Sequence, residues 1–137
     1  MSRFYTNVST RGDKILYRGY ENGKRVEGRI DYRPTLFVST DKSSKYHTMD
    51  GRSVEPFQPG SMSDCRDFIL RHESVTGFEI YGNTDYIYQF IGDKFPDDVE
   101  YDKKQIKVAY LDIETTAENG FPQVKNPTER VNVITLI

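Results

Sequence analysis

Two carboxylates stand at the end of an apolar run in Lys107-Val108-Ala109-Tyr110-Leu111-Asp112-Ile113-Glu114-Thr115-Thr116. The run reads as a strand, and on a strand residues two apart share a face. Asp112 and Glu114 therefore project together, while Ile113 points into the opposite layer. Val108, Tyr110, Leu111 and Ile113 make the strand apolar on both faces, which predicts a central, buried position. Carboxylates at the end of such a strand are costly to desolvate without a partner. A divalent cation is the common partner, and hard oxygen ligands suit Mg²⁺ or Mn²⁺. Carboxylate-held metal centres of this kind cleave and join phosphodiesters. The plainer reading of an acid-x-acid triplet is a solvated strand face.

The elements that must position this pair begin far upstream. Arg3 to Ser9 and Lys14 to Tyr20 alternate and read as strands. Asn22-Gly23 accepts the positive φ angles of a type I′ turn, so Arg25 to Tyr32 is predicted to pair back as a third strand. Pro34 marks a break before the short apolar strand Leu36-Phe37-Val38, and the first forty or so residues read as one antiparallel meander. Asp50-Gly51-Arg52 is a tight turn between the runs at 46–49 and 53–57. Ser61 to Glu73 is the clearest helix, with Ser61 as cap and Asp64 as a capping-box partner. Cys65, Phe68, Ile69 and His72 fall on one stripe of it; a metal reading of Cys65 and His72 is set aside because no third ligand is in sight. Phe78 to Tyr81 reads as a short strand. Residues 85–91 are ambiguous between helix and strand, with apolar density favouring a helical turn. Pro96, Asp97 and Asp98 mark a linker.

Composition fits a soluble, folded, intracellular protein. The single cysteine, Cys65, excludes a disulfide within the chain. No apolar run is long enough to span a membrane, and no apolar signal core is present at the N-terminus. With 10 tyrosines, 8 phenylalanines and no tryptophan, core volume must come largely from the smaller rings. The net charge of −2 makes any nucleic-acid surface local rather than global. Lys14, Arg18, Lys24, Arg25, Arg29 and Arg33 cluster in the first hairpin region. They read either as a solvated, aggregation-resistant edge or as a phosphate-contacting patch.

Several segments, in order, resemble the N-terminal portion of family B replicative DNA polymerases of T-even-type tailed phages. Asp112-Ile113-Glu114-Thr115 after Ile106-Lys107-Val108-Ala109 is similar to that family's first exonuclease motif. Phe4-Tyr5, Tyr32-Arg33-Pro34-Thr35-Leu36-Phe37-Val38, Tyr81-Gly82-Asn83-Thr84, Tyr101-Asp102 and Gly120-Phe121-Pro122 match as well. The resemblance implies an α+β chain. Residues 1–103 would form an N-terminal domain, an antiparallel β-meander with a packed helix of RNA-recognition-motif-like fold. Residues 104–137 would form the first β-hairpin of a ribonuclease-H-like 3′-to-5′ exonuclease domain, incomplete here.

On that resemblance Asp112 is the ligand shared by two Mg²⁺ or Mn²⁺ ions, and Glu114 serves one ion and orients the nucleophile. Thr115 lies where it can contact the 3′-terminal nucleotide, and Phe121 where a ring can stack on the frayed primer end, or else simply packs in the loop. The polymerases resembled are several times longer, so the later exonuclease motifs, palm, fingers and thumb are missing. The apolar run Val131 to Ile137 wants a neighbour, and a cloned fragment or the first piece of a split polymerase fits it. Alone, such a chain is expected to bind metal weakly and to be catalytically inert. Its expected partners are the rest of the polymerase and a single-stranded DNA 3′ end, and its place the cytoplasm of an infected bacterium. The alternative is an assembly or regulatory module that grips RNA, although the stacking signature of an RNA-recognition motif is absent. Rings at Tyr5, Tyr17, Tyr20, Tyr32 and Phe37 serve as core or as stacking platforms in that view. An unrelated ribonuclease-H-like nuclease would explain the acidic strand but not the upstream matches.

Overall fold

A computed structural model describes residues 2–118, 120–121 and 123–137. Pro122, the last residue of the Gly120-Phe121-Pro122 match, lies outside the described residues. The chain forms two compact units, Met1–Tyr101 and Asp102–Ile137, each mixed or β in content.

In the first unit, β1 (Arg3–Arg11), β2 (Lys14–Glu21) and β3 (Lys24–Asp31) make an antiparallel three-stranded sheet in that order. The β2–β3 turn is set by Asn22 at φ 52° and Gly23 at φ 78°, the pair of positive angles that Asn-Gly tolerates. The alternation of β2 sends Ile15 and Tyr17 into the core, while Leu16 and Arg18 face outward. A register shift between Tyr5 and Asn7 leaves Thr6 as an additional residue on β1. Gly19 sits opposite Tyr5, where a Cβ would lie 2.4 Å from the Phe4 carbonyl oxygen.

The meander expected to run through Leu36–Val38 stops at β3. β4 (Leu36–Ser39) belongs to a second antiparallel sheet with β5 (Tyr46–His47), β6 (Ser53–Phe57) and β7 (Ile80–Tyr81), in the order β5-β6-β4-β7. The intervening Pro34 has no N–H to continue a ladder, and it is itself buried against the core. Two small sheets thus replace one sheet of four or five strands.

Helix α1 (Met62–His72) begins with a complete capping box: the Ser61 hydroxyl accepts from the Asp64 N–H, and the Asp64 carboxylate accepts from the Ser61 N–H. These bonds hold the Asp64 carboxyl below the usual carboxylate range. The helix buries Met62 and Cys65, and its Phe68 ring packs 4.9 Å from Phe57 on β6. Burial pushes the Cys65 thiol up, and its Sγ lies 3.8 Å from the Pro34 carbonyl oxygen. The ambiguous stretch after residue 84 is α2 (Tyr86–Lys94), capped by Asp85, whose carboxylate accepts from the Ile87 N–H at 3.3 Å. Tyr32 donates to Asp93 at 2.6 Å and the Thr35 N–H donates to Gln89 at 3.0 Å, which ties α2 to the segment leaving β3. Ile15, Tyr17, Leu36, Met62, Cys65, Tyr86 and Phe90 form the shared core of this unit.

The second unit holds a 3-10 turn (Lys103–Gln105) and an antiparallel hairpin of β8 (Leu111–Thr115) and β9 (Val131–Leu136). The expected buried strand is not seen: Val108, Tyr110 and Leu111 are 64%, 68% and 63% exposed. A two-stranded hairpin offers no second layer to cover either face. The ladder is brief because regular pairing starts at Leu111, although Tyr110 and Ile137 still exchange both backbone hydrogen bonds at 3.0 Å. No helix among the described residues is long and apolar enough to cross a membrane.

Candidate metal and nucleic-acid site

Alternation along β8 puts Asp112 and Glu114 on one face, as their spacing predicts. The cross-strand partners confirm which face that is: Asp112 lies opposite Thr135 and Glu114 opposite Val133. Leu111, Ile113, Ile134 and Leu136 occupy the other face, so the hairpin separates an acidic side from an aliphatic one. The Asp112 carboxylate accepts from the Ile113 N–H at 3.0 Å through one of its oxygens.

Thr115 follows immediately but in a changed register. The pairing slips between Glu114 and Thr115, and Asn132 is the additional residue on β9. Beyond the slip, Thr116 fastens the start of the connection: its N–H donates to the Arg130 carbonyl at 3.0 Å, and its hydroxyl donates to Glu129 at 2.8 Å. Phe121 lies in the connection, 96% exposed, just after Gly120 at φ 93°. Its ring is therefore presented to solvent rather than packed in the hairpin.

Two carboxylates on one exposed face fit a hard divalent ion. Mg²⁺ keeps several waters and is held by one or two carboxylates together with substrate phosphates. Among the described residues no group of three or more His, Cys, Asp or Glu side chains gathers to complete a site. Two carboxylates are fewer than a complete ligand set needs, so a metal held here would take further ligands from water or phosphate oxygens.

The six expected basic residues do not form one patch. Lys14, Arg18, Arg25 and Arg29 share the outward face of the first sheet. Lys24 occupies the opposite phase of β3, and Arg33 lies past the strand, where its charge acts on Asp64. Arg11, unmarked by sequence reasoning, joins the outward face through its pairing with Lys14. The signal was available: Arg11 borders the β1–β2 turn, so the hairpin register carries it to Lys14.

The aromatic candidates divide likewise. Tyr17 is buried, and Tyr5 and Tyr32 are packed against the core. Tyr20 stacks on Phe4 at 5.2 Å. Phe37 instead lines an open apolar groove of about 490 Å³ with Tyr46, Val54 and Tyr81.

No family model matches the chain. It is 34% identical over 136 residues to the DNA-directed DNA polymerase of Enterobacteria phage T4, and 30% identical over 138 positions to that of Escherichia phage RB69. Each match covers 98% of this chain, which spans only 15% of either polymerase.

Proposed function

Because this chain is the counterpart of the N-terminal region of T-even-type phage DNA polymerases, we propose that it serves as the N-terminal section of such an enzyme. In that enzyme it contributes the first acidic strand of a 3′-to-5′ proofreading exonuclease of the family B type. The carrying observation is that Asp112 and Glu114 share the polar face of β8, at a position inside the matched region. The setting is viral DNA replication in the cytoplasm of the infected bacterium.

Asp112 would hold Mg²⁺ or Mn²⁺ through the carboxylate oxygen other than the one bonded to the Ile113 N–H. A bound ion supplies Lewis-acid stabilisation of the phosphoryl oxygens and of the departing 3′-oxygen. The Glu114 carboxylate, one pleat repeat away, orients the attacking water and takes up its proton. Thr115, re-aimed by the register slip, offers its hydroxyl or N–H to the 3′-terminal nucleotide. The exposed Phe121 ring stacks on a frayed base, a contact that tolerates any sequence and so suits proofreading. With two carboxylates and, among the described residues, no third gathered to them, the chain needs the rest of the polymerase to complete the site and is inert alone.

The test is Asp112→Ala in the assembled polymerase. Loss of digestion of single-stranded 3′ ends with polymerisation retained is expected. Retained digestion, or loss of polymerisation alone, would overturn the assignment.

A further inference from the structure

On the outward face of the first sheet, Phe4 and Tyr20 are covered at one end by Tyr101, and most of the charged residues lie beyond that end. The core uses the inward phase of all three strands, through Val8, Ile15, Tyr17, Val26 and Ile30. On the outward phase, Arg11, Lys14, Arg18, Arg25 and Arg29 stand against Glu27 and Asp31, five cations to two carboxylates in a chain of net charge −2. The two carboxylates do not neutralise the face evenly. Asp31 pairs with Lys14 at one end, and Glu27 lies 3.6 Å from Arg18 and 3.9 Å from Arg25. Among the described residues, neither Arg11 nor Arg29 has a carboxylate partner. They flank a groove of about 320 Å³ floored by Leu16 and walled by Arg18 and Glu27.

We propose that this face binds the phosphate backbone of single-stranded DNA, with Arg11 and Arg29 as the principal contacts. Guanidinium groups match phosphate oxygens two at a time. Arg11 on β1 and Arg29 on β3 stand on the two outer strands with β2 between them, about 10 Å apart across the sheet at two inter-strand spacings, a separation that their long side chains can bring to successive phosphates. Asn7 and Ser9, on the same phase of β1, add neutral donors beside the arginines. Contacts to phosphate carry no sequence information, so binding through these arginines is sequence-independent. The choice of DNA as occupant rests on the polymerase reading; the charge asymmetry of the face does not.

The test is fluorescence anisotropy of the full chain with a labelled short oligothymidylate across a salt series. On single strands each phosphate contact contributes about 0.7 to the salt slope, or about fivefold in affinity near ~0.1 M salt. The double variant Arg11→Ala/Arg29→Ala should therefore weaken binding by about 25-fold and lower the slope by about 1.4. Glu27→Gln should tighten binding, a result that a purely structural role for the face does not produce. Lys103→Ala/Lys104→Ala, which removes the same charge elsewhere, should leave binding unchanged. Unaltered thermal melting of the variants keeps the comparison on binding.

Absence of salt-sensitive binding, or an equal loss in the Lys103/Lys104 control, overturns the proposal. Oligouridylate separates the two nucleic acids: tighter binding to it than to oligothymidylate overturns the assignment to DNA, and equal or weaker binding upholds it. Failure here, with Asp112→Ala still abolishing exonuclease in the assembled enzyme, removes this surface and leaves the polymerase reading standing.

Discussion

Tyrosine chemistry links single residues to the stability of the first unit. Burial pushes the Tyr101 phenol up to about 12, helped by its hydrogen bond with Tyr5. Burial also raises the phenols of Tyr17, Tyr32 and Tyr86. For Tyr32 the hydrogen bond to Asp93 acts in the same direction, since a phenolate there would face a carboxylate. A raised phenol favours the neutral form in the fold, so its contribution is complete below the ordinary value near ~10 and disappears as pH rises through the folded value. We expect the unit to lose its structure as pH climbs from about 10 past about 12, with phenolate formation delayed for these rings. Parallel titration by phenolate absorbance and circular dichroism reads both. Ionisation of all 10 tyrosines near the ordinary value with the fold intact would contradict this packing. At this scale the sequence was informative about type and silent about environment. Asp112 and Glu114 could be placed on one face from spacing alone, whereas the Asp93 partner of Tyr32, 61 residues away, could not.

Elements were legible where local chemistry decides them. Asn22-Gly23 specifies its turn, and Ser61 with Asp64 specifies the start of α1, because both signals act within four residues. Partnership between strands is a long-range choice. Leu36–Ser39 reads as the next strand of a meander, yet it pairs with Ser53–Phe57 and Ile80–Tyr81. The apolar run before Asp112 has the composition of a central strand, but a hairpin supplies nothing to bury it against. Gly19 marks where sheet geometry is tightest. Its absent Cβ leaves room for the Phe4 carbonyl and for the Tyr17 hydroxyl, which a methyl would approach to 2.7 Å. Gly19→Ala is expected to destabilise the first unit by about 1–3 kcal/mol in denaturant titration. Gly28→Ala, with nothing within 4 Å of the added methyl, should be neutral or mildly stabilising. Equal effects of the two would show that the β1–β2 approach is looser than described.

At the scale of the whole molecule, the two units differ in kind. Among the described residues, the first encloses a core with ten buried hydrophobic side chains. The second is a hairpin whose aliphatic face, formed by Leu111, Ile113, Ile134 and Leu136, is exposed. A two-stranded ribbon of this sort is marginal in water without a further layer. The same hairpin carries the acidic pair, so the element least able to stand alone is the one proposed to hold metal. On the proposed reading, that combination predicts inertness in isolation and competence once more of the exonuclease is present. The chain's match to 15% of the T4 and RB69 polymerases leaves ample sequence in those enzymes to supply the missing layer and ligands.

The measurement that bears most directly on this account mixes the chain with the separately produced remainder of the polymerase and follows Mg²⁺-dependent digestion of single-stranded DNA from its 3′ end. Digestion that appears only on mixing, and disappears when the chain carries Asp112→Ala, is the expected result. Digestion undiminished by Asp112→Ala, or a stable complex with no digestion, would contradict the claim that this acidic strand completes the exonuclease site.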